Sequence, residues 1–269
     1  MLPVVLSIAG SDNSAGAGAQ ADLKTLSALG VYGLTAITCV VAEVPGKVSA
    51  IQPIEPRIVR EQIRLSFEAF PIAAVKTGML HSREIIETVC STLAECFGKC
   101  AARPFLVVDP VMVATSGDAL LQNDAVALYR ERLFPLAGLI TPNLDEVRTL
   151  LGRAVTSVGE MHRAGAELVA QYGTAVLIKG GHLREAIATD LLFMDGRVHE
   201  FTAPFVPDVS THGTGCTYSA AIAAGIAQGL ALPPAIAGAK QFVTNAITHF
   251  LRWENDGRPT DALHHFARG

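Results

Sequence analysis

The stretch Thr-His-Gly-Thr-Gly-Cys-Thr-Tyr-Ser, residues 211–219, opens a run of small and apolar residues that extends to Gly225. Its glycines, Gly213 and Gly215, let the backbone approach a ligand closely and accept a positive φ. A Gly-rich turn that leads into a helix leaves N–H groups and the positive end of the helix dipole available to an anion. Cys216 stands where this helix would begin. The stretch therefore predicts an anion hole with a reactive side chain beside it.

The segments that precede this stretch alternate between apolar strands and helices. The predicted strands cover residues 4–9, 34–41, 48–51, 73–76, 105–108, 139–140, 175–178, 190–194 and 198–201. The predicted helices cover residues 20–28, 56–70, 83–97, 123–133 and 159–172, and a last helix is expected at 235–253. The pair Asp195-Gly196 is a strong hairpin signal. The pattern predicts an α/β fold in one domain over residues 1–269, with a mostly parallel central sheet, helices on both faces and small β-hairpin elements.

The composition excludes several classes of function. Half of the 269 residues are hydrophobic, which is ample for one large core. A net charge of −4 and 6% aromatic residues argue against a nucleic-acid partner. No uninterrupted apolar run reaches the roughly 18 residues of a membrane span, and residues 4–9 indicate a first strand rather than a signal peptide. The odd count of five cysteines fits reduced thiols and predicts a cytoplasmic protein.

Three further segments allow more than one interpretation. Residues 10–19 form a Gly-rich loop that matches a dinucleotide fingerprint poorly, so a plain strand-to-helix turn is the simpler interpretation. Cys90, Cys96 and Cys100 lack the short Cys-x-x-Cys pair of a zinc site, which favours thiols at a helix end. Residues 114–118 are small and polar, and they predict a flap over a site.

Polar side chains follow four of the predicted strands. They are Asp109, Asn143 with Glu146, Lys179 and the 213–216 turn. The carboxyl ends of parallel strands meet at one edge of a sheet, where open α/β sheets bind their ligands. Two carboxylates near an anion hole suggest Mg²⁺ beside phosphate, and a lysine there contacts phosphate as a point charge. Turn, cap or solvated-surface roles are the alternatives for each residue alone, but together they predict phosphoryl transfer.

The motifs also resemble a known family. The segment from Asn143 to Glu146 matches the N-x-x-E motif of the ribokinase-like superfamily, and residues 213–216 match its anion-hole motif, with Cys216 where most members carry Asp. Together with residues 7–12, 20–24, 109–117, 141–143 and 179–182, the chain resembles the bacterial hydroxymethylpyrimidine/phosphomethylpyrimidine kinases over nearly its whole length. That resemblance implies a ribokinase-like kinase of thiamine biosynthesis that uses ATP and Mg²⁺ in two successive phosphorylations and forms a homodimer.

The resemblance also implies a role for each matching residue. Cys216 would be the general base for the substrate hydroxyl, and a helix N-terminus is expected to lower the pKa of its thiol below about 8.5. The N–H groups of Gly213, Thr214 and Gly215 would form the anion hole. The remaining implied roles are ATP phosphate binding for Lys179, Asn143 and His212, Mg²⁺ binding for Asp109 and Glu146, and pyrimidine binding for Gly10, Asp22, Glu43 and Met79. A structural role is an equal alternative for His212.

One position departs from the family pattern, because Glu43 replaces the usual Gln. A glutamine donates and accepts hydrogen bonds at once, whereas an ionised glutamate only accepts. The exchange leaves the substrate preference open, and pyridoxal kinase is the nearest alternative. Two other classes are a thiol hydrolase that uses Cys216 and an inactive ligand-binding protein on the same fold.

Overall fold

A nine-stranded sheet forms the centre of the computed structural model, which describes residues 1–112, 123–183, 185–207, 209 and 212–267. The strands are β1 Val4–Asp12, β2 Tyr32–Val44, β3 Lys47–Pro53, β4 Ile72–Thr77, β5 Phe105–Val108, β6 Leu139–Ile140, β7 Ala175–Lys179, β8 Ile187–Met194 and β9 Arg197–Pro204. A separate hairpin contains β10 Leu251–Asn255 and β11 Arg258–Ala262.

The strand order is β3-β2-β1-β4-β5-β6-β7-β8-β9. The six strands β2, β1, β4, β5, β6 and β7, which are adjacent in this order, are all parallel to one another. The outer strands β3, β8 and β9 pair antiparallel through hairpin connections. The expectation of an α/β fold with a mostly parallel central sheet is therefore confirmed.

Helices cover both faces of the sheet. They are α1 Gly18–Ala28, α2 Pro56–Ala69, α3 Arg83–Lys99, α4 Asn123–Leu128, α5 Leu144–Leu151, α6 Val158–Tyr172, α7 Thr214–Ala227 and α8 Leu232–Thr248. Side chains alternate between the faces along each strand: Leu106 and Val108 pack in the core beneath α2 to α6, whereas Val107 packs beneath α1, α7 and α8. Strands buried on both faces explain the continuous apolar runs in the sequence.

The elements differ from the sequence prediction at two places that matter. Strand β1 continues to Asp12, so residues 10–12 belong to the strand and not to the turn. The prediction of a helix to residue 253 is wrong, because α8 ends at Thr248 and Trp253 lies in β10. Asp256 and Gly257, with φ of 51° and 70°, form the turn of this second hairpin. Among the described residues, no helix is long and apolar enough to cross a membrane.

Candidate active site

A cavity of about 1360 Å³ runs along the carboxyl edge of the parallel strands. Its wall contains most of the residues that the sequence singles out. They are Gly10, Glu43, Met79, Asp109, Asn143, Glu146, Lys179, His212, Gly213, Thr214, Gly215 and Cys216. The fold brings together residues as distant in the sequence as Gly10 and Cys216, as the topology of a parallel sheet requires. The proposed flap at 114–118 lies outside the described residues.

The turn before α7 is shaped by close backbone packing. Gly213 has a φ of 81°, and a Cβ added there would lie 1.8 Å from the carbonyl oxygen of Gly16. The turn and the loop after β1 are therefore in direct contact, and only glycine fits at this point. Thr214, Gly215 and Cys216 form the first turn of α7 and line the cavity. Since the first N–H groups of a helix have no partner within the helix, this turn presents donors to a bound anion.

Cys216 is partly exposed in the cavity wall, at the third residue of α7. Burial raises the pKa of its thiol to about 11. The nearby ammonium of Lys76 and the N–H of Gly18 oppose this rise, whereas the carboxylates of Asp22 and Asp109 add to it. The prediction of a lowered pKa is therefore wrong. The free-energy cost of removing water from around the thiolate is larger than the stabilisation that the helix N-terminus provides.

A buried ion pair lies behind this wall. The Nζ of Lys76 is 2.8 and 2.9 Å from the two carboxylate oxygens of Asp22, and Ser7 donates a further hydrogen bond to Asp22. Burial alone would lower the pKa of Lys76, but the Asp22 carboxylate outweighs it and raises that pKa. Asp22 is fully buried and is not among the residues that line the cavity. Lys76 has no signal in the sequence beyond its place at the end of a strand.

Asp109 and Lys179 face each other where β5 and β7 end. The Nζ of Lys179 lies 2.8 Å from Oδ1 of Asp109, and Thr141 and Ser219 donate to the same carboxylate at 3.2 and 3.3 Å. Burial would raise the pKa of Asp109, but Lys179 and Lys76 lower it. This pair therefore places a lysine ammonium and an ionised carboxylate side by side in the cavity.

The N-x-x-E motif forms the start of α5. The side chain of Asn143 accepts a hydrogen bond from the N–H of Glu146 at 2.9 Å, and the carboxylate of Glu146 accepts one from the N–H of Asn143 at 2.7 Å. This reciprocal pair is a capping box, which fixes the helix start and the direction of both side chains. Burial, with a contribution from Asp109, raises the pKa of Glu146 to about 8 despite the nearby Lys179.

Asp109 and Glu146 are the two carboxylates that would hold a magnesium ion in this cavity. Both are buried carboxylates at one edge of the cavity, and the repulsion between them would be relieved by a divalent cation. In the described part of the chain, no cluster of three or more His, Cys, Asp and Glu side chains is arranged for a metal. Mg²⁺ commonly takes only one or two carboxylates and completes its shell with water and substrate phosphates. The donor set therefore fits Mg²⁺ better than a closed structural site.

Gly10, Glu43 and Met79 lie at the other end of the cavity. A Cβ at Gly10 would lie 2.8 Å from Sγ of Cys39, so the strand packs closely against Cys39 there and has no room for a side chain. The carbonyl of Met79 accepts a hydrogen bond from Thr38 at 2.7 Å. Glu43 is half-buried, and burial raises the pKa of its carboxyl, with Asp12 adding to the effect and His212 opposing it. This end is therefore a small pocket with an apolar wall at Met79 and an ionisable side chain, that of Glu43.

His212 joins the α7 turn to the loop after β1. Its Nε2 lies 3.0 Å from Oδ2 of Asp12, whose carboxylate also accepts from the N–H groups of Ser14 and Ala17 at 2.7 and 2.8 Å. Burial would raise the pKa of Asp12, but these hydrogen bonds lower it to about 2. The hydrogen bond to Asp12 also raises the pKa of His212. His212 therefore holds the loop after β1 and also lines the cavity, so its structural role and its phosphate-binding role both stay predictions.

Comparison with known proteins adds three findings. A family model described as phosphomethylpyrimidine kinase matches residues 12–261. The chain is 46% identical to the hydroxymethylpyrimidine/phosphomethylpyrimidine kinase of Rhizobium meliloti, over 100% of this chain and 98% of that protein. Two solved structures are similar. An ADP complex of Bacillus subtilis pyridoxal kinase has a TM-score of 0.88, 35% identity and 98% coverage of both chains. Clostridium difficile phosphomethylpyrimidine kinase has a TM-score of 0.79 and 38% identity, over 91% of this chain and 99% of that one.

Proposed function

The chain belongs to the phosphomethylpyrimidine kinase family, and on this basis we propose that it phosphorylates 4-amino-5-hydroxymethyl-2-methylpyrimidine and then its monophosphate, with ATP, in thiamine biosynthesis. The observation that carries the proposal is that one continuous cavity contains both ends of the site. It joins the small pocket around Glu43 and Met79 to the α7 turn, Lys179 and the paired carboxylates. A flat pyrimidine alcohol at one end and a polyphosphate at the other would meet at Cys216. Membership of a kinase family also argues against the alternative that the protein is a thiol hydrolase.

Binding of the phosphates would fall to the α7 turn and to Lys179. The N–H groups of residues 213–216 would donate to the oxygens on which negative charge develops during transfer, and preorganised donors of this kind stabilise a transition state. The Nζ of Lys179 lies 2.8 Å from Oδ1 of Asp109, and it would exchange this contact for one with a phosphate oxygen. Asp109 and Glu146 would hold Mg²⁺, which would neutralise part of the phosphate charge when bound. Phosphoryl transfer consists mainly of such positioning and charge stabilisation.

Cys216 would accept the proton of the substrate hydroxyl. With a pKa of about 11, its side chain is mainly a thiol at rest, and it becomes a strong base only after its own proton has been released to solvent. In a loose phosphoryl-transfer transition state the alcohol becomes acidic only as its oxygen bonds to phosphorus, so the base acts late. The ammonium of Lys76 and the N–H of Gly18 favour the thiolate at that moment. These contacts support Cys216 as the general base.

Pyridoxal kinase is the second candidate, and the similarity to the Bacillus subtilis pyridoxal kinase favours it. Pyridoxal also offers a hydroxymethyl group on a flat nitrogen heterocycle. The deciding experiment measures turnover with ATP and Mg²⁺ on the pyrimidine alcohol, its monophosphate and pyridoxal, with Cys216→Ala as the inactive control. We expect the highest kcat/KM for the two pyrimidines. A higher value for pyridoxal would overturn the proposed substrate, and no transfer to any of the three would overturn the kinase proposal.

A further inference from the structure

Two lysine–aspartate pairs lie side by side in the cavity wall. Lys179 of β7 and Asp190 of β8 are directly opposite in an antiparallel pair, so their side chains leave the same face of the sheet. They nevertheless bind other partners. Lys179 lies 2.8 Å from Asp109, whereas Asp190 lies 2.7 Å from the Nζ of Lys240 in α8. Asp190 and Lys240 are both buried, and both line the cavity that contains Lys179 and Cys216.

Asp190 also fixes the backbone that follows Lys179. Its Oδ1 accepts a hydrogen bond from the N–H of Gly180 at 3.0 Å. A Cβ at Gly180 would lie 2.1 Å from the carbonyl oxygen of Thr189, so this turn packs tightly against β8. One carboxylate therefore binds the turn with one oxygen and Lys240 with the other. Asp190 therefore fixes the backbone of Gly180, directly after Lys179.

The negative charge of Asp190 is unfavourable in a site that binds a polyphosphate. Unpaired, it would repel the phosphates and would offer Lys179 a competing partner across the strand pair. The hydroxyl of Tyr218 lies in the same wall, but burial and then the charge of Asp190 hold its pKa well above the ordinary value. Tyr218 is therefore neutral at physiological pH, and its contact with Asp190 leaves the charge of the carboxylate uncancelled. Lys240 supplies the compensating charge.

We propose that Lys240 is a positioning residue for the nucleotide phosphates: by pairing with Asp190 it keeps Lys179 directed at Asp109 and holds the turn at Gly180. The inference rests on the proposed function, because it assigns Lys179 to the phosphates of ATP. It predicts that removing Lys240 harms nucleotide binding through Asp190, and that removing the charge of Asp190 as well repairs the damage.

The test measures ADP binding by calorimetry and KM for ATP and for the pyrimidine in four proteins. Lys240→Met should weaken ADP binding at least about tenfold, as expected when a charge-assisted contact is lost. KM for the pyrimidine should be unchanged. Lys240→Met combined with Asp190→Asn should regain most of the affinity, because the asparagine oxygen still accepts from Gly180. Lys240→Arg should remain close to the wild type, and Arg153→Met, which breaks an exposed pair with Glu167, is the matched control.

Two results would overturn the inference while the wild type remains an active kinase. The first is unchanged ADP affinity in Lys240→Met, and the second is an equal loss in the double variant, which would indicate a purely structural role. If Lys240→Met does not fold, Lys240→Gln decides, since the glutamine amide still donates to Asp190 but carries no charge. It should weaken ADP binding because the compensating charge is lost, and unchanged binding would refute the inference. Absence of transfer by the wild type itself would instead refute the proposed function.

Discussion

Cys216 shows at the scale of one residue how two environments oppose each other. Its place at a helix start favours the thiolate, and its burial favours the thiol. Burial dominates and raises the pKa to about 11, although Lys76 and Gly18 reduce the shift. The result is a side chain that resists alkylation in the resting enzyme and is strongly basic when ionised. A base must also be ionised before it can accept a proton, so only the thiolate fraction of Cys216 can take part in proton transfer.

The reactivity of Cys216 should therefore increase with pH well beyond neutrality. Alkylation by iodoacetamide should accelerate about tenfold per pH unit from about pH 7 to 10, because the thiolate fraction grows in that proportion below the pKa. Mass spectrometry of the peptide that contains Cys216 measures this rate. Cys216→Ala and Cys216→Ser should each lower kcat by a factor of about 10²–10⁴. A plateau below pH 8, or full activity of either variant, would contradict the assignment.

Glu43 provides a second prediction at this scale. Burial, followed by the charge of Asp12, raises the pKa of its carboxyl, so its protonated form persists to higher pH than in water. A protonated carboxyl both donates and accepts, as a glutamine does, and ionisation removes the donor. As pH rises through this raised pKa, KM for the pyrimidine should increase in the wild type relative to Glu43→Gln. The ratio of the two KM values across pH measures the effect.

Glu43→Gln should itself retain pyrimidine kinase activity. Asn13 accepts a hydrogen bond from the backbone N–H of residue 43, and this contact is independent of the side chain. Complete loss of activity in the variant would disprove the idea that Glu43 stands in for glutamine. A KM ratio that stays constant with pH would instead show that the protonation state of Glu43 has no part in substrate binding.

At the scale of elements, the α7 turn depends on contact with the loop after β1. Gly213→Ala should lower stability by about 2–4 kcal/mol, the sum of a positive-φ cost and an overpacking cost against Gly16. Its kcat should fall with it, since the turn carries the anion-hole donors. Gly229→Ala is the matched control, because Gly229 also has a positive φ, 89°, but an added Cβ meets nothing within 4 Å.

Thermal unfolding and turnover of both variants measure this difference. Gly229→Ala should lose only about 1 kcal/mol, the cost of the backbone conformation alone, and should keep its kcat. Equal destabilisation of the two variants would show that the contact between Gly213 and Gly16 has no energetic weight. An unchanged kcat in Gly213→Ala would remove the turn from the proposed anion hole.

At the scale of the whole molecule, we propose that residues 1–269 form one domain and that the chain forms a homodimer. The central sheet passes through both hydrophobic cores, so neither core can unfold without the other. Calorimetry should show one cooperative transition. ADP at 100 times its Kd should add about 2.7 kcal/mol of stability. Two separate transitions, or a midpoint that ADP does not move, would contradict the single domain or the nucleotide site, and light scattering tests the dimer.

The sequence by itself determined the elements whose signal is local. Apolar runs with flanking turn residues predicted every strand of the parallel sheet, and Asp195-Gly196 predicted the β8–β9 hairpin. The same Asp-Gly signal at 256–257 is typical of a hairpin, but the predicted last helix, which runs to residue 253, covers most of the first strand of that hairpin. The family motifs likewise follow from short spacings, because caps and Gly-rich turns are made by neighbouring residues.

Only the tertiary structure decided the electrostatics of the site. The pKa of Cys216 depends on burial and on the charges of Lys76 in β4 and Asp22 in α1, and a helix-start pattern carries no information about desolvation. The pairs Lys76–Asp22 and Lys240–Asp190 join residues 54 and 50 positions apart, and nothing in either sequence neighbourhood identifies the partner. The sequence determined which groups are present at the strand ends, whereas packing determined which of them are charged, paired or exposed to a substrate.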